Sequence, residues 1–406
     1  MPTVTVTGAH GQTVSLNFDT TANAALAAQL AAAITAGVQD GSILPAVDTD
    51  GPPPPLPPGA TGAFFQDPSG LTILPTGYKA YVDTAPQAVV FGSGDGDESV
   101  LSSAGSSLSF FATGGSGTVV AGGGNNNIVI PSTDAGDWSV NTGSGDDTVL
   151  AMGSGNDTIN PGGGNNNILL GSGKTVMQST GDDTVSASGG QATIAAIGKT
   201  SDLIYGGNQL FYVGTQGGSA TVFGGTGSDT FFGGKGPDLV QGGTGGNNFL
   251  FAGTGSATLF GGGSGDQLYT AGSEGQALHA GAGNETLNGV FGMGADTFYG
   301  GSGATQIQGG TGNDTFVAGS GSSTVTAPLG QNVFLFNNGQ AGGTELIQGF
   351  ASGQDTIDLQ GYANNQVAHA LKHQQVAGGS TTITLSDNTK ITFADVTNLK
   401  ASDFTT

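Results

Sequence analysis

The sequence predicts an all-β chain wound as a parallel β-solenoid of glycine-rich nonapeptides, with a small N-terminal α+β module and a C-terminal β cap. Three observations carry this. Residues 224–241 hold two units, GGTGSDTFF and GGKGPDLVQ, of the form G-G-x-G-x-D-x-U-x, where U is large and apolar, here Phe231 and Val240. One such unit cannot bury its apolar side chain alone, so a short fixed period implies stacked neighbours. Glycine supplies 78 of 406 residues with no G-X-Y period, against a usual share of ~7%. Charged residues make up only 9%, where ~25% is ordinary, which argues against a charge-solvated disordered chain.

Within a unit, the glycines permit the positive φ angles of a tight turn, and the residues after the acid form a very short strand with one side chain inward. Two units complete a coil, so turns eighteen residues apart share an edge, and Asp229 and Asp238 face opposite edges. The glycine turns let carbonyls converge and the aspartate adds a hard anionic oxygen; Ca²⁺ accepts about six to eight such ligands in flexible geometry.

These nonapeptides resemble those of the RTX (repeats-in-toxin) family, whose β-roll binds Ca²⁺ through carbonyls of the G-G-x-G turn and the carboxylate of the sixth position. The resemblance implies Ca²⁺ as cofactor. It implies turn ligands at Gly224, Gly225, Gly227, Gly233, Gly234, Gly236, Gly309, Gly310 and Gly312, and acid ligands at Asp147, Asp157, Asp183, Asp202, Asp229, Asp238, Glu285, Asp296, Asp314 and Asp355. The best two-carboxylate sites pair Asp296 with Asp314 and, with one residue of slip, Asp183 with Asp202. Elsewhere Asn126, Asn166, Asn247, Ala220, Ala257, Thr305 and Ser323 take the sixth position. An amide oxygen is a weak ligand and alanine is none, so those turns are expected to rely on backbone and asparagine ladders.

Residues 1–50 read as a hairpin and a helix. Val4 and Val6, then Val14, Leu16 and Phe18, alternate around a Gly8 to Gly11 turn. An alanine-rich helix over residues 22–36 starts at Asp19, Thr20 and Thr21, ends at Gly37, and carries a stripe of Leu26, Leu30 and Ile34. Residues 51–60, GPPPPLPPGA, read as a polyproline spacer, and 61–91 as a lead-in. The repeats occupy 92–337, thirteen or so coils and on the order of 60 Å. Residues 338–406 resemble the closing region of type I secreted RTX proteins, with Asp355 and Asp358 capping the roll and a final hairpin turning at Asp387 and Asn388.

The formal charge is −23, all seven basic residues are lysine, and cysteine is absent. Nucleic acid and anionic membrane surfaces are therefore excluded as partners, as are disulfides and thiolate metal sites. The N-terminus shows neither a basic n-region nor an apolar h-region, and no run of 18 apolar residues occurs, so neither a Sec signal nor membrane insertion is expected. No nucleophile elbow, phosphate loop or dinucleotide fingerprint is present. His369 and His373 in HALKH lack both the acid of a zincin and a third ligand, so no enzyme is expected. Outward threonines after the acids suggest an ice-binding face, but Leu203, Leu239 and Leu278 interrupt the rank. The expectation is a secreted calcium-binding structural protein, at the cell surface or outside it. It would leave through a type I exporter and self-assemble into a surface layer, filament or biofilm matrix, through solenoid ends or the N-terminal module. An adhesin or ligand-binding module, with a cell-surface polysaccharide as ligand, is the alternative, and a secreted hydrolase the third reading.

Overall fold

The computed structural model describes residues 1–48, 51–214 and 217–406. They divide into two compact units, Met1–Asn208 and Gln209–Thr406. Each is a parallel β-solenoid whose rungs alternate between two sheets, with about 17 turns in all among the described residues.

The first unit opens with an antiparallel hairpin of β1 (Thr3–Thr7) and β2 (Thr13–Asn17), which buries Val4, Val6, Leu16 and Phe18. Helix α1 (Thr21–Asp40) follows, and the Thr20 hydroxyl caps it by accepting the Asn23 N–H. The helix does not stop at Gly37; it runs on to Asp40 and ends at Gly41, whose left-handed φ of 79° suits only glycine well. Gly37 serves packing instead, since a Cβ there would fall 2.5 Å from Ile43 Cδ1. The buried stripe also differs from the expected leucine row. Ala24, Ala27, Ala31 and Ile34 face inward, while Leu26 and Leu30 lie at its flanks, partly buried. Small side chains let α1 approach the hairpin and the first rungs closely, against Ala63, Phe65, Ala80 and Val82. By length and composition α1 could cross a bilayer, but in this fold that apolar face is spent on the roll.

The rungs begin well before residue 92. Strand β3 (Ile43–Val47) pairs in parallel with β4 (Thr61–Gln66), so the proline-rich stretch is the loop between two adjacent rungs and not a spacer between domains. Pro53 is buried, and the Tyr78 hydroxyl donates to Pro54 O at 3.0 Å. Thr49 and Asp50, at the expected module boundary, lie outside the described residues. Residues 61–91 are rungs too: β5 (Gly70–Ile73) starts the second sheet and pairs with Gln87–Phe91. A parallel ladder needs main-chain donors and acceptors and an inward apolar residue at every second position. These early coils have both without the glycine code.

From there each rung pairs with the second one after it, as Asn127–Ile130 does with Thr148–Ala151. The second unit continues the pattern, Asp238–Gln241 pairing with Ala257–Phe260. Its inward positions stack in ranks: Phe298, Phe316 and Phe334 follow one another with ring centroids 5.3 and 5.2 Å apart. The far end is closed by a reversal. Lys390–Phe393 pairs in parallel with Thr344–Gln348 and antiparallel with Ser380–Thr384, while Phe404–Thr405 finishes the other sheet; a short helix α2 (Gln366–Lys372) lies between.

Candidate metal centre

The register stacks the sixth positions of successive coils into columns at the mouths of the turns. In the second unit, one column runs Asp229, Asn248, Asp266, Glu285, Thr305, Ser323, Glu345, and the other Asp238, Ala257, Gln276, Asp296, Asp314, Asn332, Asp355. One rule links the members. In these columns each aspartate or asparagine accepts, through one side-chain oxygen, the main-chain N–H of the column residue one coil earlier, whereas Gln276, Glu285 and Glu345 are held by Ala271 N, Gly281 N and Ser323 Oγ. Leu210 N donates to Asp229 Oδ1 at 3.0 Å, Asp229 N to Asn248 Oδ1 at 2.7 Å, Ala220 N to Asp238 Oδ1 at 2.9 Å, and Asp296 N to Asp314 Oδ1 at 3.0 Å. The first unit repeats this with Asn126 N to Asp147 Oδ1 at 2.7 Å and Trp138 N to Asp157 Oδ1 at 2.9 Å.

With one carboxylate oxygen engaged in this way, or by Asn166 Nδ2 at Asp183 and Gly281 N at Glu285, the other is left in the turn. The second oxygens of Asp147, Asp183, Asp229, Asp238, Glu285 and Asp296 are buried and have no hydrogen-bond partner. They meet carbonyls there. A Cβ on Gly243 would fall 2.7 Å from Asp229 Oδ2, closer still to Gly227 O, and 3.2 Å from Gly225 O, so glycine leaves open a pocket that three oxygens of the preceding coil border. Burial without a counter-charge lifts the carboxyls of Asp147, Asp183, Asp229 and Asp296 to about 6 and those of Asp238 and Glu285 to about 7, although main-chain and side-chain donors pull the other way. Taking Asp147 or Asp183 from 3.8 to about 6 costs the ionised form about 3 kcal/mol each. The donor set contains only oxygen, which selects hard divalent cations. Among the described residues no three His, Cys, Asp or Glu side chains gather at one point, so an ion in these turns rests on main-chain carbonyls and one or two acids.

The amides behave differently from the weak oxygen ligands expected of them. Their nitrogens turn into the carbonyl cradle. Asn126 Nδ2 donates to Gly122 O (3.0 Å), Gly124 O (2.7 Å) and Asp147 Oδ1 (2.9 Å); Asn248 Nδ2 donates to Gly243 O (2.7 Å) and Asp266 Oδ1 (2.9 Å). Gln276 Nε2 reaches three carbonyls, Gly253 O at 3.1 Å, Gly255 O at 2.6 Å and Ala271 O at 2.8 Å. In these turns a neutral N–H₂ group supplies the positive partner that an acid-bearing turn lacks. On the strands Asn141 and Asn160 do stack, Asn160 Nδ2 donating to Asn141 Oδ1 at 2.6 Å, but the asparagines of this turn column do not. Asn126, Asp147, Asn166 and Asp183 alternate, because an amide N–H₂ fills an acceptor on a carboxylate better than on a second amide.

The turn of Gly224, Gly225 and Gly227 leads into Asp229, and that of Gly233, Gly234 and Gly236 into Asp238, whose Oδ2 lies beside Gly233. Gly309, Gly310 and Gly312 lead into Asp314, but there Oδ2 already accepts Gly310 N at 2.9 Å. Asp355 has both oxygens engaged, by Asn332 N and Ala351 N at 2.8 Å each, and so closes its column with main-chain donors. Asp183 N donates to Asp202 Oδ1 at 3.4 Å, which brings that slipped pair together. Asn247 is not the sixth residue of its turn; an extra glycine, Gly246, moves that place to Asn248. Asp266, Glu98 and Glu345 join the columns unanticipated, and Glu98 Oε2 and Glu345 Oε1 are buried without partners. An acid two residues ahead of an inward apolar residue, as in Glu98–Val100, Asp266–Leu268 and Glu345–Ile347, is the signal that finds them. His369 on α2 and His373 at its C-cap lie with ring centroids 4.5 Å apart, and no third His, Cys, Asp or Glu joins them among the described residues.

A family model of the RTX calcium-binding nonapeptide repeat matches four stretches, residues 139–168, 223–245, 242–273 and 290–325. The chain carries RTX calcium-binding nonapeptide repeats. It binds calcium. The matched stretches contain Asp147, Asp157, Asp229, Asp238, Asp296 and Asp314, and leave residues 1–138, 169–222, 274–289 and 326–406 outside, with Asp183, Asp202, Glu285 and Asp355 among them. No curated protein matches the chain. RTX repeats are typically structural or binding elements rather than catalytic ones. In RTX turns of this geometry, bound calcium supplies the divalent charge that the donorless carboxylate oxygens and converging carbonyls lack. The chain's own part is to hold those oxygens in register, exclude water from them, and fill the remaining cradles with amide nitrogen.

Proposed function

We propose that this is a secreted structural protein that stays unfolded inside the cell, leaves through a type I exporter, folds on external calcium and assembles into a surface layer, filament or matrix. The observation that carries this reading is the row of buried, donorless carboxylate oxygens in a chain of charge −23. Such a roll is unstable where calcium is scarce and stable where it is millimolar, a difference that separates the inside of a cell from its outside.

The assembly step is supported by an uncharged aromatic face in the second unit. Phe211, Phe232, Phe249, Phe251, Tyr269 and Phe291 point outward from one sheet, with neighbouring centroids 5.1–6.4 Å apart, and Val290 and Met293 extend the patch. Soluble monomers rarely expose a contiguous apolar patch beyond a few hundred Å². The same rings favour the adhesin reading, since aromatic faces stack on sugar rings.

Light scattering and electron microscopy of the full chain in millimolar calcium and then in EDTA test the proposal. Large assemblies in calcium that dissolve in EDTA, and that a Phe251→Ser, Phe291→Ser variant fails to form, are expected. Monomers under both conditions overturn the assembly reading, and retention on a polysaccharide column by those monomers establishes the adhesin.

A further inference from the structure

Outside the repeats, one carboxylate sits like a repeat acid. Asp19 lies in residues 17–23, between β2 and α1, a segment laid along three successive turns of the first unit. Asn17 N donates to Ser103 Oγ at 3.0 Å and Asn17 O accepts Ala104 N at 2.5 Å, while Asn23 Nδ2 donates to Thr142 O at 2.8 Å and to Ala121 O at 3.4 Å. Between these anchors Asp19 Oδ2 accepts Ser144 N at 2.6 Å, and Asp19 Oδ1 is buried with no partner. The space beside it is kept by Gly143, where a Cβ would fall 2.8 Å from Asp19 Oδ1 and 2.5 Å from Gly122 O. Asp147 closes the same turn. It is 1% exposed, its Oδ1 is taken by Asn126, and its Oδ2 has no partner. Its carboxyl also feels the negative charge of Asp19. Two carboxylate oxygens without hydrogen-bond partners, from segments far apart in sequence, therefore border one glycine-lined turn, Asp19 Oδ1 beside Gly122 O and Asp147 Oδ2 at the residue that closes the turn.

We propose that Asp19 Oδ1, Asp147 Oδ2 and Gly122 O hold a divalent cation of the calcium class, which fastens the hairpin–helix module to the roll. The repeat code supplies only one of the two acids. The Asn126 amide already donates to Gly122 O and Gly124 O, so Gly122 O offers the ion its second lone pair, on the module's side of the turn, and the ion's charge is matched by the acid that the module contributes. The inference is independent of the assembly reading.

The test is Asp19→Asn in the full chain, compared with the parent by calcium-binding calorimetry and by hydrogen exchange with and without calcium. Asparagine retains an oxygen for Ser144 N, so the fold is expected to persist. The variant should bind one calcium fewer, and calcium-dependent protection of residues 17–24 should disappear while that of residues 229–317 is kept. Unchanged stoichiometry overturns the proposal. Should the variant fail to fold, the parent alone decides: equal exchange of residues 17–24 with and without calcium overturns it, and protection that appears only with calcium upholds it. Loss of all calcium binding in the parent would instead defeat the repeat sites themselves.

Discussion

A single atom decides whether a turn needs an ion. At the sixth position a carboxylate brings a second oxygen to a cradle already lined with oxygens, whereas a carboxamide brings a nitrogen that donates to them. Gln276 makes the sharpest case, because its Nε2 serves three carbonyls. Gln276→Glu should remove those donors, lower metal-free stability by about 3 kcal/mol or more, and add one bound calcium, read by thermal melts in EDTA and by calorimetry. Asp229→Asn should do the reverse, with one calcium fewer and a higher melting temperature in EDTA. Proton and metal compete for the same oxygens. Burial places the folded-state pKa values of these acids near 6 to 7, above their unfolded values near 4, so the carboxyls favour the fold fully below about pH 4 and withdraw that support as pH rises through about 6 to 7. In EDTA the melting temperature should therefore fall between pH 4.5 and 7.5, and saturating calcium, which requires the ionised form, should restore it most at the upper end. The acids themselves were legible in the G-G-x-G-x-D spacing. The direction of each amide was not, because asparagine reads as an oxygen or a nitrogen ligand until its neighbours are placed.

Coils tolerate little change where backbones close on one another. Gly243 faces three oxygens of the preceding coil, and Gly243→Ala puts a methyl group among them. The expected result is weaker calcium binding at the Asp229 turn and a loss of about 2–4 kcal/mol in calcium, measured by denaturant unfolding. Inward ranks matter as much: Phe316→Ala removes the middle ring of the Phe298, Phe316, Phe334 stack and should cost about 3–5 kcal/mol with or without metal. The glycine-punctuated coils could be read in the sequence because turn and strand chemistry recur there together. The coils before residue 92 could not, since strands such as Ile43–Val47 and Thr61–Gln66 pair through main-chain groups that any sequence carries, and the prolines between them look like a spacer. Helix α1 was visible as an element, but its buried face was misplaced, because close approach selected alanine over the larger leucines.

For the molecule as a whole, the charge of −23 and the buried acids act together. Exhaustive chelation at pH 7.5 and low ionic strength should abolish most of the far-ultraviolet β signal, and added calcium should restore it. Salt alone should restore only part, because screening relieves exposed charges and leaves buried ones uncompensated. Turns closed by Asn126, Asn248 and Gln276 stand outside that dependence. They act as permanent clasps in a seam whose other fasteners are removable. A chain emerging into calcium would thus have short seeds already shaped, from which winding can spread to the acid turns on either side, and stripping the metal would leave those seeds as the last order to vanish.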